Sequence, residues 1–577
     1  MRRRLAAVLT VLATTALAAG CASVPDSSSV DVLHRVTEGN GTPLPPGPGD
    51  NASPLDLVRG FINASASADN QHAAARRFLT PESQSWDDAT SLTVIGDQLG
   101  PTSYVRPVSD TDHATLALHG VQLGTLAADG SFTPDETSAD LNFELRKLNG
   151  QWRLVSPPAG TIVRQADFTA NYRPLRVYFI DPQRHTPVVD RRYVSASPEP
   201  TLPSRVMDRL LSGPSSVLTG VAVSAIPPTA RLRSNVALDE DSSVTVDLTE
   251  LGDLNDSRRR LIAQQVVLSM AGVGVGKVTL LDDGAPLLPD HPVLTQDTLN
   301  ALGPEDAAPA DLPGLVVVNG RVHTMTTNDL GGVLPGPAGA GAYDLTSATI
   351  SPDGGRIAGV ERRSGRQLLT GPLGGPLAPT GVRAAWLSQP TWTAGSDGSS
   401  EVWTVRDRTT VARLVLDQSG HSRIAPVNAT ELSSRGPIDD LRVSKDGVRI
   451  AAIVGGQLVV GTIERPLNGP VAIGSVRALR PAELADLSSV AWQSGDRLAV
   501  AGRSISGIAV ARVSVDGLDL LPLPPGNLTG PLTSVAAAPG RPLLVTDQKG
   551  LWSFGMDDVG SWRQISNGSA TVAGYPD

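Results

Sequence analysis

Disulfide chemistry is closed to this chain, because Cys21 is its only cysteine. Its domains must therefore hold together by packing alone. Aromatic residues make up only 4% of the 577 positions, which with 58 Gly and 46 Pro points to many turns and short elements. The histidines (His34, His72, His113, His119, His185, His291, His323 and His421) are scattered, and with no second thiol there is no zinc-ligand spacing and no His-Glu-x-x-His helix. A Gly-x-Ser-x-Gly elbow is also missing. No cofactor or metal is called for. Positive charge does not predominate: 48 Lys and Arg stand against 58 Asp and Glu, a net charge of −10, which leaves no electrostatic footprint for nucleic acid. Beyond the N-terminus no apolar run is long enough to span a bilayer.

The single cysteine follows a distinctive start. Arg2, Arg3 and Arg4 precede an apolar run from Leu5 to Ala19, broken only by Thr10, Thr14 and Thr15. At ~1.5 Å per residue the run reaches about 22 Å, short of the roughly 30 Å hydrocarbon core, so it reads as a secretory signal peptide over residues 1–20. Ala19 and Gly20 directly before Cys21 resemble the lipobox of bacterial lipoproteins, although Ala18 stands where that pattern usually carries leucine. The resemblance implies cleavage before Cys21 and diacylglycerol on its thiol. The simpler alternative is an ordinary signal peptide with a chance or buried thiol; the position of Cys21 favours the lipid. Two or more acyl chains anchor stably, at ~0.8 kcal/mol per buried CH2.

Residues 21–52, with Ser27-Ser28-Ser29 and Pro43-Leu44-Pro45-Pro46-Gly47-Pro48, bury too little to order themselves and read as a flexible tether. An α+β domain is expected over 53–165. Ser53 and Pro54 open a helix with Leu57, Val58, Phe61 and Ile62 on one face, and a second helix runs from His72 to Leu79. Strands follow at Ser91–Leu99, Tyr104–Val108, Ala114–Leu118, Ala139–Leu148 and Gln151–Val155, with Asn149-Gly150 a hairpin turn. A second α+β unit, 170–290, has strands at Arg176–Ile180, Ala230–Leu238, Ser243–Leu248 and Lys277–Leu281. Its helices are Leu202–Leu211 and Ser257–Met270, the latter capped by Asp256.

From Leu312 the pattern changes. Ser351-Pro352-Asp353-Gly354, Ser444-Lys445-Asp446-Gly447, Gln493-Ser494-Gly495-Asp496 and Ala538-Pro539-Gly540-Arg541 align as turns 93, 49 and 45 residues apart, with a weaker copy from Pro390 to Trp403. A repeat of several strands every ~45 residues is the signature of a β-propeller, and 312–577 then holds about six blades. The fold class is thus multidomain: two α+β domains followed by an all-β propeller.

Motifs with catalytic overtones dissolve on inspection. Gly272-Val273-Gly274-Val275-Gly276-Lys277 follows a helix and precedes a strand, the reverse of a phosphate cradle. Asp282-Asp283 and Asp439-Asp440 are adjacent and face opposite ways, so solvated turns are expected. Ser396-Asp397-Gly398 lacks the later spacing of an aspartate box. Trp386, Trp392, Trp403, Trp492, Trp552 and Trp562 are expected to pack between blades, with one or two free to line a face, and Arg258 to Arg260 to form a solvated face.

Taken together, Val58-Arg59-Gly60-Phe61-Ile62, Ala75-Arg76-Arg77-Phe78-Leu79-Thr80-Pro81, Trp86, Leu210-Leu211-Ser212-Gly213-Pro214, Ile226-Pro227-Pro228, Val246-Asp247-Leu248 and Ala263-Gln264-Gln265 resemble the actinobacterial lipoprotein LpqB family, whose middle domain is of the GerMN type. The resemblance implies a non-enzymatic protein lipid-anchored to the cell membrane through Cys21 on the extracytoplasmic side. Its partner would be the extracytoplasmic part of a sensor kinase of the MtrA–MtrB two-component system, in signalling tied to the envelope and division. An envelope hydrolase, or a small-ligand binder with its site on the propeller face, is the alternative.

Overall fold

The computed structural model describes residues 45–576 apart from 105–111, 197–200, 303–311, 326–328, 363–364, 396–397, 505–506, 556–560 and 569; Cys21, the signal sequence and the Ser396-Asp397 pair lie outside the described residues. The first helix is Pro54–Ala64, where Ser53 accepts from the Asp56 amide as N-cap and Leu57, Val58, Phe61 and Ile62 are buried. Its buried face lies on a six-stranded sheet that includes Leu92–Ile95, His113–Leu126, Phe132–Leu148, Gln151–Leu154 and Thr161–Arg164. Alternation at Leu141–Leu145 puts Phe143 and Leu145 inward, and Asn149 (φ 53°) with Gly150 (φ 83°) turns the hairpin.

Two expectations fail locally. The helix expected over His72–Leu79 is one turn, Ala73–Arg76, because Phe78 and Leu79 turn inward and the backbone of 78–80 bonds to Leu154. The stretch 45–52, expected in the tether, lies on this domain: Gln151 Nε2 donates to Asp50 Oδ1 at 2.9 Å, and Gly47 abuts Arg77. Part of the strand expected at Tyr104–Val108 lies outside the described residues; the observed strand is Gly100–Tyr104.

In the second unit Ser243–Thr249 and Lys277–Asp282 pair in parallel across the helix Asp256–Ala271, a βαβ crossover. That helix is capped by Asn255, not Asp256: the Arg258 amide donates to Asn255 Oδ1 at 2.8 Å. Arg258 and Arg259 donate to the carbonyls of Ala225, Leu254 and Leu287, so only Arg260 of the trio is a purely solvated residue. The strand expected over Ala230–Leu238 shrinks to Arg231–Leu232. Helix Leu202–Leu211 is as expected, with Val206, Met207 and Leu210 in the core.

Six sheets form the rest: Gly314–Val333, Leu345–Ala384, Thr391–Ala425, Ile438–Ala478, Leu487–Leu523 and Ser534–Asn567 supply blades 1 to 6 in order. Blade 1 receives its innermost strand, Ala570–Gly574, from the end of the chain, pairing Val317 with Val572. Innermost strands of successive blades touch all the way round, which closes the ring. Every aligned turn of the repeat leaves the innermost strand of its own blade, at 351, 395, 444, 495 and 537. In the turns at Ser351 and Ser444 the serine Oγ bonds the aspartate two residues on and accepts the amide five residues on. Trp392 and Trp403 are wholly buried among blade residues, and Trp552 and Trp562 nearly so. Among the described residues no helix is long and apolar enough to cross a membrane.

Candidate functional site at the propeller mouth

The element that organises the molecule is a strand the sequence reading passed over, Pro187–Ser195. It pairs antiparallel with Tyr172–Ile180, and its residues from Val188 to Val194 are all buried. A strand presents alternate residues to opposite sides. Val188, Asp190, Arg192 and Val194 face the second α+β unit, whereas Val189, Arg191 and Tyr193 face the propeller.

On the inner side Asp190 accepts from the Ser215 amide and hydroxyl at 2.8 and 2.9 Å and pairs with Arg192 at 2.8 Å. Arg192, entirely buried, reaches on to the carbonyls of Gly213 (2.9 Å) and Asp129 (2.7 Å), the latter on a turn of the N-terminal domain. On the outer side Arg191 donates to Asp496 at 3.1 Å and to the Tyr193 hydroxyl at 2.9 Å, and also pairs with Asp519. Tyr193 donates in turn to Asp516 at 2.9 Å, and Arg176 meets Asp496 at 3.0 Å. Burial disfavours the Arg191 charge, but Asp516, Tyr193 and Asp519 outweigh it and hold the guanidinium protonated. Burial likewise pushes Asp496 up, and Arg176, Ser494 and Arg191 more than offset that, leaving it below the usual carboxylate range. Asp519, partly buried and crowded by other aspartates, is raised despite Arg191.

These aspartates sit in propeller turns of blade 5, and blade 4 contributes the same kind of contact. Arg184 donates to the carbonyls of Asp446 (2.8 Å) and Gly447 (3.2 Å), and Arg449 reaches back to Val189. The docked unit therefore covers the turn face of blades 4 and 5. A small apolar cluster beside the clamp joins all three regions through Val94, Phe168, Tyr193 and Leu518.

Beside the docked unit the ring opens into a cavity of about 310 Å3 walled by turns of blades 2, 4, 5 and 6 and both ends of blade 1. Nearer the axis Arg442 bonds Gln389, and Trp492 Nε1 donates to the Arg442 carbonyl at 3.2 Å. Asp440 lies there too, buried, accepting from Ser489 Oγ (2.8 Å) and the Val490 amide (3.1 Å). The expectation of a solvated Asp439-Asp440 turn is thus corrected: the pair is in an innermost strand, Asp440 knits blade 4 to blade 5, and Asp439 faces Arg408 at 2.8 Å. Of the other residues singled out by sequence, the Gly272–Lys277 stretch is a helix-to-strand turn, and Asp283 is a turn residue with φ 49°. Among the described residues no group of three or more His, Cys, Asp or Glu is placed to hold a metal.

A larger open cleft, about 700 Å3, lies at the outer end of blade 3 and contains Glu401, Asp417, Arg413 and His421. Glu401 is fixed by Arg465 at 3.0 and 3.1 Å, by Arg413 and by the Trp403 indole at 3.0 Å. Burial pushes it up, but the two arginines outweigh burial and lower it. Asp417 is lowered by its bond from Ser419.

A ring of six blades carrying two smaller domains, bolted on by buried ion pairs over its turn face, defines a multidomain propeller scaffold. Its three parts match three family profiles in the same order: Lipoprotein LpqB, N-terminal domain over 47–169, Sporulation and spore germination over 176–288, and Lipoprotein LpqB beta-propeller domain over 320–574. The chain belongs to the LpqB lipoprotein family. Lipoprotein LpqB of Nocardia farcinica is 31% identical over 95% of this chain and 92% of its own length, and that of Mycolicibacterium smegmatis is 31% identical over 98% of each. TolB from Acinetobacter baumannii, a solved structure, covers 72% of this chain and 90% of its own at 12% identity, with a TM-score of 0.32, too low to carry an argument.

Proposed function

We propose that this lipoprotein is a non-catalytic accessory protein of a two-component sensor kinase of the MtrA–MtrB type, held on the extracytoplasmic side of the cell membrane by acylated Cys21. The observation that carries this reading is the clamp around Arg191. Burying ionic groups is costly, and they are retained where they fix one arrangement of parts. Here they set three domains in a single arrangement, as a surface for a protein partner requires. The chemistry of the clefts points the same way. A glycan hydrolase needs one carboxyl kept protonated by a raised pKa. Glu401 and Asp417 in the large cleft are both lowered, and among the described residues no carboxylate lines the mouth cavity.

The test is capture of the purified kinase ectodomain by the full chain in detergent, beside the Arg191→Ala variant. Retention by the native chain and loss with the undocked variant support the reading; no retention by either sinks it. Mass spectrometry of the native product tests the anchor, with diacylglycerol on Cys21 as the expected result. An unmodified thiol on a protein shed into the medium refutes it.

A further inference from the structure

The ring has two ends, and the clamp uses only one of them. Innermost strands run into the turns of the docked face; the next strands, Arg356–Glu361 in blade 2 and Ser400–Arg406 in blade 3, run back to the opposite end. There the seam between the two blades carries arginine. Val360 and Leu368 of blade 2 pack against Trp392 and Val402 of blade 3. By alternation Arg362 and Arg366 point into the same seam from one side, and Arg406 from the other. They meet at Leu387, whose carbonyl accepts from Arg366 Nη1 at 3.3 Å and whose backbone pairs with that of Arg406. Burial and the neighbouring Arg362 both disfavour the Arg366 charge. Arg362 and Arg406 are exposed, and among the described residues none of the three arginines has a carboxylate partner. The acids of this end are engaged elsewhere. Asp439 pairs with Arg408 at 2.8 Å, Asp407 accepts from the Trp386 amide at 3.0 Å, and Asp344 sets its carboxylate beside Gly320 of blade 1. Trp386 stands next to them, half-buried, with its ring centre 5.3 Å from the Arg408 guanidinium. Its indole N–H has no partner among the described residues.

We infer that this end of blades 2 and 3 rests on the anionic lipid headgroups of the bilayer that holds the anchor. Guanidinium forks match phosphate oxygens, and here three of them converge in a chain whose net charge is −10. An anionic surface therefore attracts this end and repels the protein as a whole, which makes the contact an oriented one. Trp386 adds an apolar ring with a free N–H, the combination that settles at a bilayer interface. The tether permits the approach. Between Cys21 and Pro45 lie 23 residues, which extend to at most about 80 Å, so the anchor leaves the ring free to turn this end toward the lipid. An arginine near an anionic surface strengthens attachment about fivefold. Three of them hold a free protein weakly, but they suffice to orient one already concentrated at the surface by its lipid. Lying on this end, the ring holds the docked domains away from the bilayer. The inference rests on the acyl anchor and is independent of the kinase.

The experiment reconstitutes the native product into vesicles of phosphatidylcholine alone or with about one third phosphatidylglycerol, and follows hydrogen exchange of the amides of 405–410. Exchange is expected to slow on the anionic vesicles only, and high salt should abolish the difference. The Arg362→Ala/Arg406→Ala double variant removes two exposed arginines and should give back roughly 25-fold of the attraction, with unchanged thermal unfolding. Flotation with the neutral vesicles reads the anchor separately. If the protein fails to float there, the anchor reading fails, and flotation with the anionic vesicles, lost in the double variant, still reads the ring end. Equal exchange on the two kinds of vesicle, or a slowing that the double variant keeps, overturns the inference. Slowing by soluble polyglutamate but not by anionic vesicles also overturns it, and assigns the surface to an acidic protein instead.

Discussion

Replacing Arg191 by alanine is the most direct test of how the domains are joined. The side chain is 4% exposed and is the shared partner of Asp496, Asp516 and Asp519, of which the first two are 2% and 6% exposed. Truncation strands those carboxylates in a buried, low-dielectric junction, and breaking one partner of such a pair costs ~3–5 kcal/mol. Two features place the effect at the lower end: Arg176 still meets Asp496 at 3.0 Å, and Asp519, at 36% exposure, can turn to water. A loss of about 3 kcal/mol in docking is roughly a hundredfold shift toward the undocked form. Hydrogen exchange of the amides of 187–195 reads it directly, since undocking uncovers the Arg191 side of the strand. Because much of the cost is the stranded charge rather than the lost bonds, Arg191→Met combined with Asp516→Asn should recover a measurable share. An Arg191→Ala acceleration below roughly fivefold, or a double variant no better than the single one, would refute the reasoning.

Glu401→Gln should destabilise the propeller by about 3 kcal/mol at pH 7, because Arg413 and Arg465 lose their shared anion. Since Glu401 is lowered in the fold, its stabilisation is complete above the unfolded value of ~4.3 and is lost as pH falls through the folded one; urea titrations should show the two proteins converging below about pH 4. Gly447→Ala tests the blade 4 contact: at φ +66° an added Cβ would lie 1.9 Å from Arg184 Nη1 and 2.5 Å from Thr393 Oγ1, so about 1–3 kcal/mol of stability should go, with faster exchange at Arg184 and its neighbours. Asp440→Ala should loosen blade 4 from blade 5, releasing Ser489 and leaving Arg442 without its anion, at about 3 kcal/mol by thermal unfolding.

What the sequence disclosed and what it hid have a common cause. The repeat was legible because a Ser-x-Asp-Gly turn is a local device: serine and aspartate bond their own backbone, so the pattern survives wherever the blade is placed. Helices with one apolar face and a local start signal, the Ser53 cap of Pro54–Ala64 and Pro203 in the first turn of Leu202–Leu211, were legible for the same reason. Strand Pro187–Ser195 was not, because Asp190-Arg191-Arg192 at its centre reads as solvent-exposed until its partners, 129, 213, 496, 516 and 519, are known to converge on it. Val188, Val189, Tyr193 and Val194 around that trio were the available signal. The mouth cavity was equally invisible, since its walls come from six stretches far apart in the chain.

Blade 1 has a consequence for the order of events during synthesis. Its innermost strand is made last, more than two hundred residues after the strands it completes. Until that strand arrives, Leu315 to Val318 has an unpaired inner edge, open to any stray strand. A premature stop anywhere before residue 570 would therefore leave the circle permanently unfastened at that seam, however small the deletion.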